Sequence, residues 1–302
     1  MLSLRRPFDR DQPIDNLRIV ITRHGERADL ALGNHWLRRI QRNGGHDSRI
    51  SRLPRRSSFR EWNYDPPLTI AGEKQSGSVG RKLLQLGYSI DYCYSSPAYR
   101  SIQTANKILE SQGRRAVSIN IEPGLFECPS WYSGSPLAFI PPTYLARDRK
   151  FHIDSNYVPI YGSVDPSENE KQFYRRSHNV IDTIVQAHKN QGGTILLSAH
   201  AGSIEAITRG LRGIFGRRAQ TENLVYEASR VNYCNFAIVE RDARTGRWTF
   251  QLPESYSGAG LPMRNIIPLH SISTYHRGSH RKGRSPQRRR LSRVAHHRHH
   301  YH

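Results

Sequence analysis

Acidic residues are scarce in this chain: 25 Asp and Glu face 46 Lys and Arg, and the formal net charge is +21. A field of that sign draws in anionic partners such as phosphorylated molecules, nucleic acid or acidic lipid, without choosing among them. Cysteine is scarcer still, with Cys93, Cys128 and Cys234 widely spaced. An odd, scattered set argues against a disulfide framework or a cysteine zinc site and fits reduced thiols. No apolar run approaches the roughly 20 residues that a membrane-spanning helix needs. The opening M-L-S-L-R-R-P-F-D-R also lacks the apolar core of a signal peptide. The expectation is a soluble protein of the cytoplasm, with the nucleus as the alternative.

The 302 residues contain 36% apolar residues, with four Trp, fifteen Tyr and nine Phe, enough for one large α/β domain over about residues 17–269. A short lead-in, 1–16, precedes it. Residues 270–302 hold nine of the basic residues and no acid, so this tail carries +9 of the net charge and the rest of the chain +12. Its Arg, His, Ser and Gly cannot bury enough surface to offset their ordering entropy, and it reads as disordered. A solvated tail is the first reading, with an arm that meets nucleic acid or an anionic membrane as the alternative.

The stretch from Ile19 to Arg27, I-V-I-T-R-H-G-E-R, organises the domain. Its β-branched run suits a strand buried on both faces, and Arg23 and His24 would leave from that strand's carboxyl end, where open α/β sheets bind ligands. Gly25 allows a sharp turn there. An imidazole beside a guanidinium suits attack on phosphate, with a nucleophilic nitrogen and a bidentate oxygen clamp. Two further strand ends add to it. Ser95-Ser96-Pro97-Ala98-Tyr99-Arg100 follows an apolar run ending at Tyr94, and His200-Ala201-Gly202 follows Leu196-Leu197-Ser198-Ala199. In a parallel sheet these ends share one edge.

Between them the pattern predicts strands at Leu17–Thr22, Tyr88–Tyr94, Val117–Ile121 and Thr194–Ser198. Helices are expected from Ile70 to Leu86, from Pro97 to Ser111, from a capping box at Ser167 and Glu170 to Asn190, and from Ser203 to Leu211. Residues 232–240 and 247–252 form a hairpin. Residues 28–64 carry eight Arg against three acids and read as a basic insertion. Residues 128–166, with six Pro and no clear period, read as a lid beside the site.

With Asp65-Pro66-Pro67-Leu68-Thr69-x-x-Gly72 and Glu122-Pro123-Gly124-Leu125-Phe126-Glu127, the set resembles the histidine phosphatase superfamily from about Asn16 to Pro268. Within it, the set is most similar to the phosphatase domain of the suppressor of T-cell receptor signalling (T-cell ubiquitin ligand) proteins. The resemblance implies a three-layer sandwich, a mostly parallel sheet with helices on both faces, as in phosphoglycerate mutase. It implies His24 as a nucleophile forming phosphohistidine, with Arg23, Arg27, Arg100 and His200 around the phosphoryl oxygens. Neighbouring positive charge should keep His24 neutral.

Glu127 is the implied general acid and Glu122 the alternative. Glu26 is expected to face away from substrate as a structural partner. Arg55 or Arg56, in L-P-R-R, would select an anionic substrate. Phosphotyrosine protein leads as substrate class, with a homodimer admitted. Neither metal nor cofactor is expected: there is no G-x-x-x-x-G-K-[ST] loop, no two-metal grouping, and no phosphate loop around Cys93. A mutase or small-metabolite phosphatase is the second reading, and a silent basic scaffold for nucleic acid or acidic membrane the third. The resembled proteins carry a ubiquitin-associated domain and a small β-barrel adaptor ahead of this part, so recruitment through those modules is not expected from the residues given.

Overall fold

The computed structural model describes residues 15–132, 135–213 and 224–251, and the statements below concern those residues. The lead-in up to residue 14 and the basic tail 270–302 lie outside them. β1 (Leu17–Arg23) places Ile19, Val20 and Ile21 at 0% exposure, as a strand covered on both faces requires. The Arg-rich insertion then forms α1 (Ala28–Leu32), α2 (Trp36–Arg42) and a 3-10 turn at Phe59–Asn63. Neither helix has the length or clean period that sequence reading relies on. They form because Trp36, Leu37, Ile40 and Trp62 are buried in the core.

α3 (Ile70–Gln85) starts at Thr69, whose hydroxyl accepts the Gly72 N–H at 2.9 Å. β2 (Tyr92–Ser95), α4 (Tyr99–Ser111), β3 (Ile119–Ile121) and α5 (Pro142–Arg147) follow. Next come α6 (Glu170–His188), β4 (Gly193–Ala199), α7 (Ala201–Leu211), α8 (Leu224–Ser229), β5 (Phe236–Arg241) and β6 (Trp248–Gln251).

The six strands form one sheet in the order β3-β2-β4-β1-β5-β6. The first four run parallel, while β5 pairs antiparallel with β1 and β6 antiparallel with β5. Alternate strand residues feed two cores. Val20, Cys93, Ile119, Leu196 and Ile238 face α2, α3 and α4; Ile19, Ile21, Ile195, Leu197 and Val239 face α6 and α7. This is the three-layer arrangement expected. Each fully buried aliphatic side chain contributes about 1.5–3 kcal/mol, so the sheet edge rests on a stiff base.

Some boundaries differ from the sequence reading. β2 begins at Tyr92 because residues before it spend their N–H groups elsewhere: Tyr88 donates to Leu83 O at 2.8 Å and Ile90 to the Gln112 side chain at 3.0 Å. The capping box of α6 is Asn169 with Gln172, in place of Ser167 with Glu170. The Ser167 hydroxyl donates instead to Asp165 at 2.7 Å, closing a turn one step earlier.

Candidate active site

Because β2, β4 and β1 are neighbours, their carboxyl ends deliver Ser96, His200 and His24 to one edge, and α4 brings Arg100 in its first turn. Glu127 follows the 3-10 turn Pro123–Leu125 just after β3. The His24 and His200 rings lie 5.4 Å apart and nearly perpendicular, although 176 positions separate them in the chain. The turn at His24 is held by backbone bonds and by Thr104, whose Oγ1 accepts the Gly25 N–H at 3.0 Å. The His24 N–H donates to Ala199 O at 3.1 Å, and Cys234 N–H donates to the His24 carbonyl at 3.2 Å. A Cβ on Gly25 would meet Gly72 O at 2.5 Å, and one on Gly72 would meet Glu26 O at 2.4 Å. The R-H-G turn and the start of α3 therefore pack backbone to backbone, which only glycine permits on both sides.

His24 is 2% exposed. Its Nδ1 lies 2.8 Å from the Gly25 carbonyl, an acceptor only, so the ring proton sits on Nδ1 and Nε2 keeps its lone pair. Burial pushes the His24 pKa well below 6.5, and the charges of Arg100, Arg23 and Arg27 and the neighbouring His200 add to that. His200, fully buried, is pushed down by the same causes, burial first and then Arg100, Arg27 and Arg23. Arg100 Nη2 approaches His200 Nδ1 at 3.4 Å and can only donate, so the His200 proton lies on Nε2, 2.8 Å from Ser96 Oγ.

The guanidinium groups are themselves held. Arg27 grips Asp29 bidentately, at 2.8 and 2.6 Å. Burial opposes the Arg27 charge, but the Asp29 bonds outweigh it and its pKa is raised. Arg23 donates to the Val231 carbonyl and lies 4.4 Å over the Tyr233 ring, and burial lowers its pKa. Arg100 stands 3.7 Å from Asp65 and donates to Tyr132 Oη at 3.0 Å. The Nε groups of Arg23 and Arg100 are buried with no acceptor among the described residues, two donors suited to an oxyanion.

Of the two carboxylates in E-P-G-L-F-E, Glu127 belongs to this cluster. Its Oε2 accepts the Tyr132 hydroxyl at 2.7 Å and lies 3.8 Å from His200 Nδ1. Glu122 is placed differently. Its oxygens accept from Gly124 N, Tyr161 N, Ile160 N and Tyr157 Oη between 2.7 and 3.1 Å, which pins the 157–161 loop and leaves no proton-carrying face. Glu26 accepts from Thr69 Oγ1 at 2.6 Å, away from the two His.

Arg56 is not brought to the phosphate cluster as a free group. Its side chain is 1% exposed, and Nε bonds Glu61 and Nη1 bonds Asp65, both at 3.1 Å, while Nη2 bonds the Ala138 carbonyl. Arg55 is exposed and lines a separate recess. Sequence reading missed Asp29, Tyr132 and Tyr233 as members of the cluster and Asp65 as its buried counter-charge. Asp29 two residues after Arg27 was the one local signal available; the others arrive through tertiary folding.

Residues 19–248 match the family described as histidine phosphatase superfamily, branch 1. The chain is 35% identical over 246 residues to human (Homo sapiens) ubiquitin-associated and SH3 domain-containing protein B, covering 78% of this chain and 37% of that protein. It is 34% identical over 252 residues to the ecdysteroid-phosphate phosphatase of Drosophila melanogaster, covering 79% of this chain and 32% of that one. The chain thus spans well under half the length of these relatives. A solved structure, the ecdysone phosphate phosphatase of "Bombix mori" in complex with tungstate, superposes with a TM-score of 0.67 at 27% identity, over 80% of this chain and 97% of that one.

Proposed function

The chain belongs to the histidine phosphatase superfamily, and from that premise we propose that it is a phosphomonoesterase working through a phosphohistidine on His24. The observation that carries this is the tautomer of His24: the Gly25 carbonyl holds the proton at Nδ1, and Nε2 is left as a lone pair among Arg23, Arg27, Arg100 and His200. Phosphoryl transfer asks for an in-line nucleophile, positive charge around the equatorial oxygens, and an acid for the leaving group. Nε2 attacks phosphorus as the ester P–O bond breaks, and protonated Glu127 gives its proton to the departing oxygen. Water then attacks phosphorus, Glu127 takes a water proton, and the P–N bond breaks to release phosphate. A bound dianion offsets part of the positive field around His200, whose Nε2–H stays on Ser96.

Three guanidiniums supply the charge that a metal would otherwise bring, so activity should survive chelators. For substrate, we favour an aryl phosphate in the form of phosphotyrosine protein. Tyr233 lies 5.9 Å from His24 and Phe126 5.2 Å from His200, giving aromatic walls to the pocket. The second reading is a small apolar alcohol phosphate. Phe139 meets Phe126 edge to face at 4.9 Å and lines a recess of about 490 Å³ with Pro97, Pro123 and Tyr157. One panel separates them: para-nitrophenyl phosphate, a phosphotyrosine peptide, a steroid phosphate and 3-phosphoglycerate. His24→Ala should lose about 10⁴-fold or more in kcat on every substrate turned over. Full activity in that variant removes the proposal, and preference for the steroid phosphate selects the second reading.

A further inference from the structure

Beyond the Arg56–Asp65 pair that backs Arg100, an open groove runs between residues 52–57 of the insertion and α5. It consists of two recesses of about 550 and 610 Å³ that share Arg55, Ile140 and Tyr144. Leu53, Pro54 and Leu145 add an apolar floor to the first. At the rim Arg52 and Arg55 are exposed, and neither guanidinium has a hydrogen-bond or ion-pair partner among the described residues. Tyr144, on α5 itself, is 62% exposed and lines both recesses. Arg149, between the groove-lining Asp148 and Lys150, holds a left-handed backbone with φ 53°, a strained conformation for a side-chain-bearing residue that recurs beside binding surfaces.

We infer that this groove docks an acidic segment of a protein substrate, with its carboxylates on Arg52 and Arg55 and an aliphatic or aromatic side chain against Leu53, Ile140 and Tyr144. The inference rests on the phosphoprotein reading above. Solvated guanidiniums beside an exposed tyrosine and an apolar floor have the composition of a protein-binding hot spot. Nucleic acid fits worse, because a phosphate backbone needs a continuous cationic track, and here Arg52, Arg55 and Lys150 are interrupted by Asp148 and Glu61 along an apolar floor that suits a side chain. The groove also adjoins the chemistry: Arg55 is followed by Arg56, whose partner Asp65 faces Arg100. A flank seated there raises the effective concentration of its own phosphorylated residue at His24.

The test uses the full chain and an Arg52→Glu/Tyr144→Glu variant, with two phosphotyrosine peptides of equal length. One has flanks of Asp, Glu and Leu, the other of Ser and Gly. The acidic peptide should show about tenfold higher kcat/KM, carried by KM, corresponding to ~1.4 kcal/mol. That advantage should vanish in the variant and shrink as salt rises, while para-nitrophenyl phosphate turnover is unchanged. Equal kcat/KM in the unmodified protein, or a preference that survives in the variant, overturns the inference. Anisotropy of a fluorescein-labelled, unphosphorylated acidic peptide reads the groove without catalysis, and the variant should bind it about tenfold more weakly. Peptide binding without any phosphatase activity would sink the phosphatase reading alone, and hydrolysis without peptide binding would sink the groove alone. A single-stranded oligonucleotide that displaces the peptide at lower concentration than unlabelled peptide does overturns the choice of ligand.

Discussion

The sheet edge and the rim of the insertion are both rich in arginine, yet they hold it in opposite ways. At the edge, Arg27 is clamped by Asp29, Arg100 faces Asp65 at 3.7 Å, and Arg23 lies against Tyr233. Along the rim, the Arg52 and Arg55 guanidiniums stand exposed, with no partner among the described residues. Burying guanidinium charge is costly unless a carboxylate compensates, and in return each buried charge acts at close range on the two His rings. Solvated charge costs little and acts weakly at distance, but it remains free to meet a partner. The same residue type thus serves as fixed electrostatics in one place and as an open contact surface in the other.

Breaking the counter-charge at the edge should have the largest effect. Asp65 is 0% exposed and joins Arg56, Arg100 and the Tyr99 N–H. Asp65→Asn leaves the buried Arg100 without its counter-charge and Arg56 with Glu61 alone, and should cost about 3–5 kcal/mol in urea unfolding. A full charge reversal at the rim, Arg52→Glu, should stay within about 0.5 kcal/mol.

Acid titration sharpens the contrast next. His24 and His200 are both depressed below 6.5 in the folded state, so the unfolded chain binds more protons once pH falls below that value. The stability they contribute is therefore complete above about pH 6.5 and is lost as pH drops from there toward their folded values. Two such groups give a slope of up to about 2.7 kcal/mol per pH unit. Replacing both with Asn should lower the slope between about pH 6.5 and 5 to what the likewise depressed His178 and His188 supply, whereas Arg52→Glu at the rim should leave it unchanged.

The smallest effect concerns Tyr132, whose hydroxyl joins Arg100 to Glu127. Tyr132→Phe should lower kcat about tenfold on an alkyl phosphate, roughly the loss of one charge-assisted hydrogen bond. It should matter less on para-nitrophenyl phosphate, whose leaving group needs little protonation. Equal losses on both substrates would show that Tyr132 acts through packing.

The contrast also explains what could be read from the chain. His24, Arg23, Arg100 and His200 were legible because each follows an apolar run, and strand ends in a parallel sheet must gather. Asp65, Tyr132 and Tyr233 were not legible as partners, since nothing local ties them to the cluster. Arg56 misled for a related reason: an arginine in a basic loop looks solvated, while tertiary folding drove this one against Trp62, Asp65 and Glu61. The short helices α1 and α2 escaped notice because a few buried aromatic and aliphatic contacts, and no long amphipathic period, hold them in place. Glu122 and Glu127 share one motif, and what tells them apart is tertiary: four donors around Glu122, and Tyr132 and His200 beside Glu127.

The central claim is that His24 Nε2 carries the phosphoryl group. Rapid acid-free quenching during turnover of an aryl phosphate, followed by peptide mass spectrometry, reads it directly. The account predicts one acid-labile, base-stable phosphate on the peptide containing His24, absent from His24→Ala. Turnover with that peptide unmodified, or with the phosphate on another residue, would contradict it.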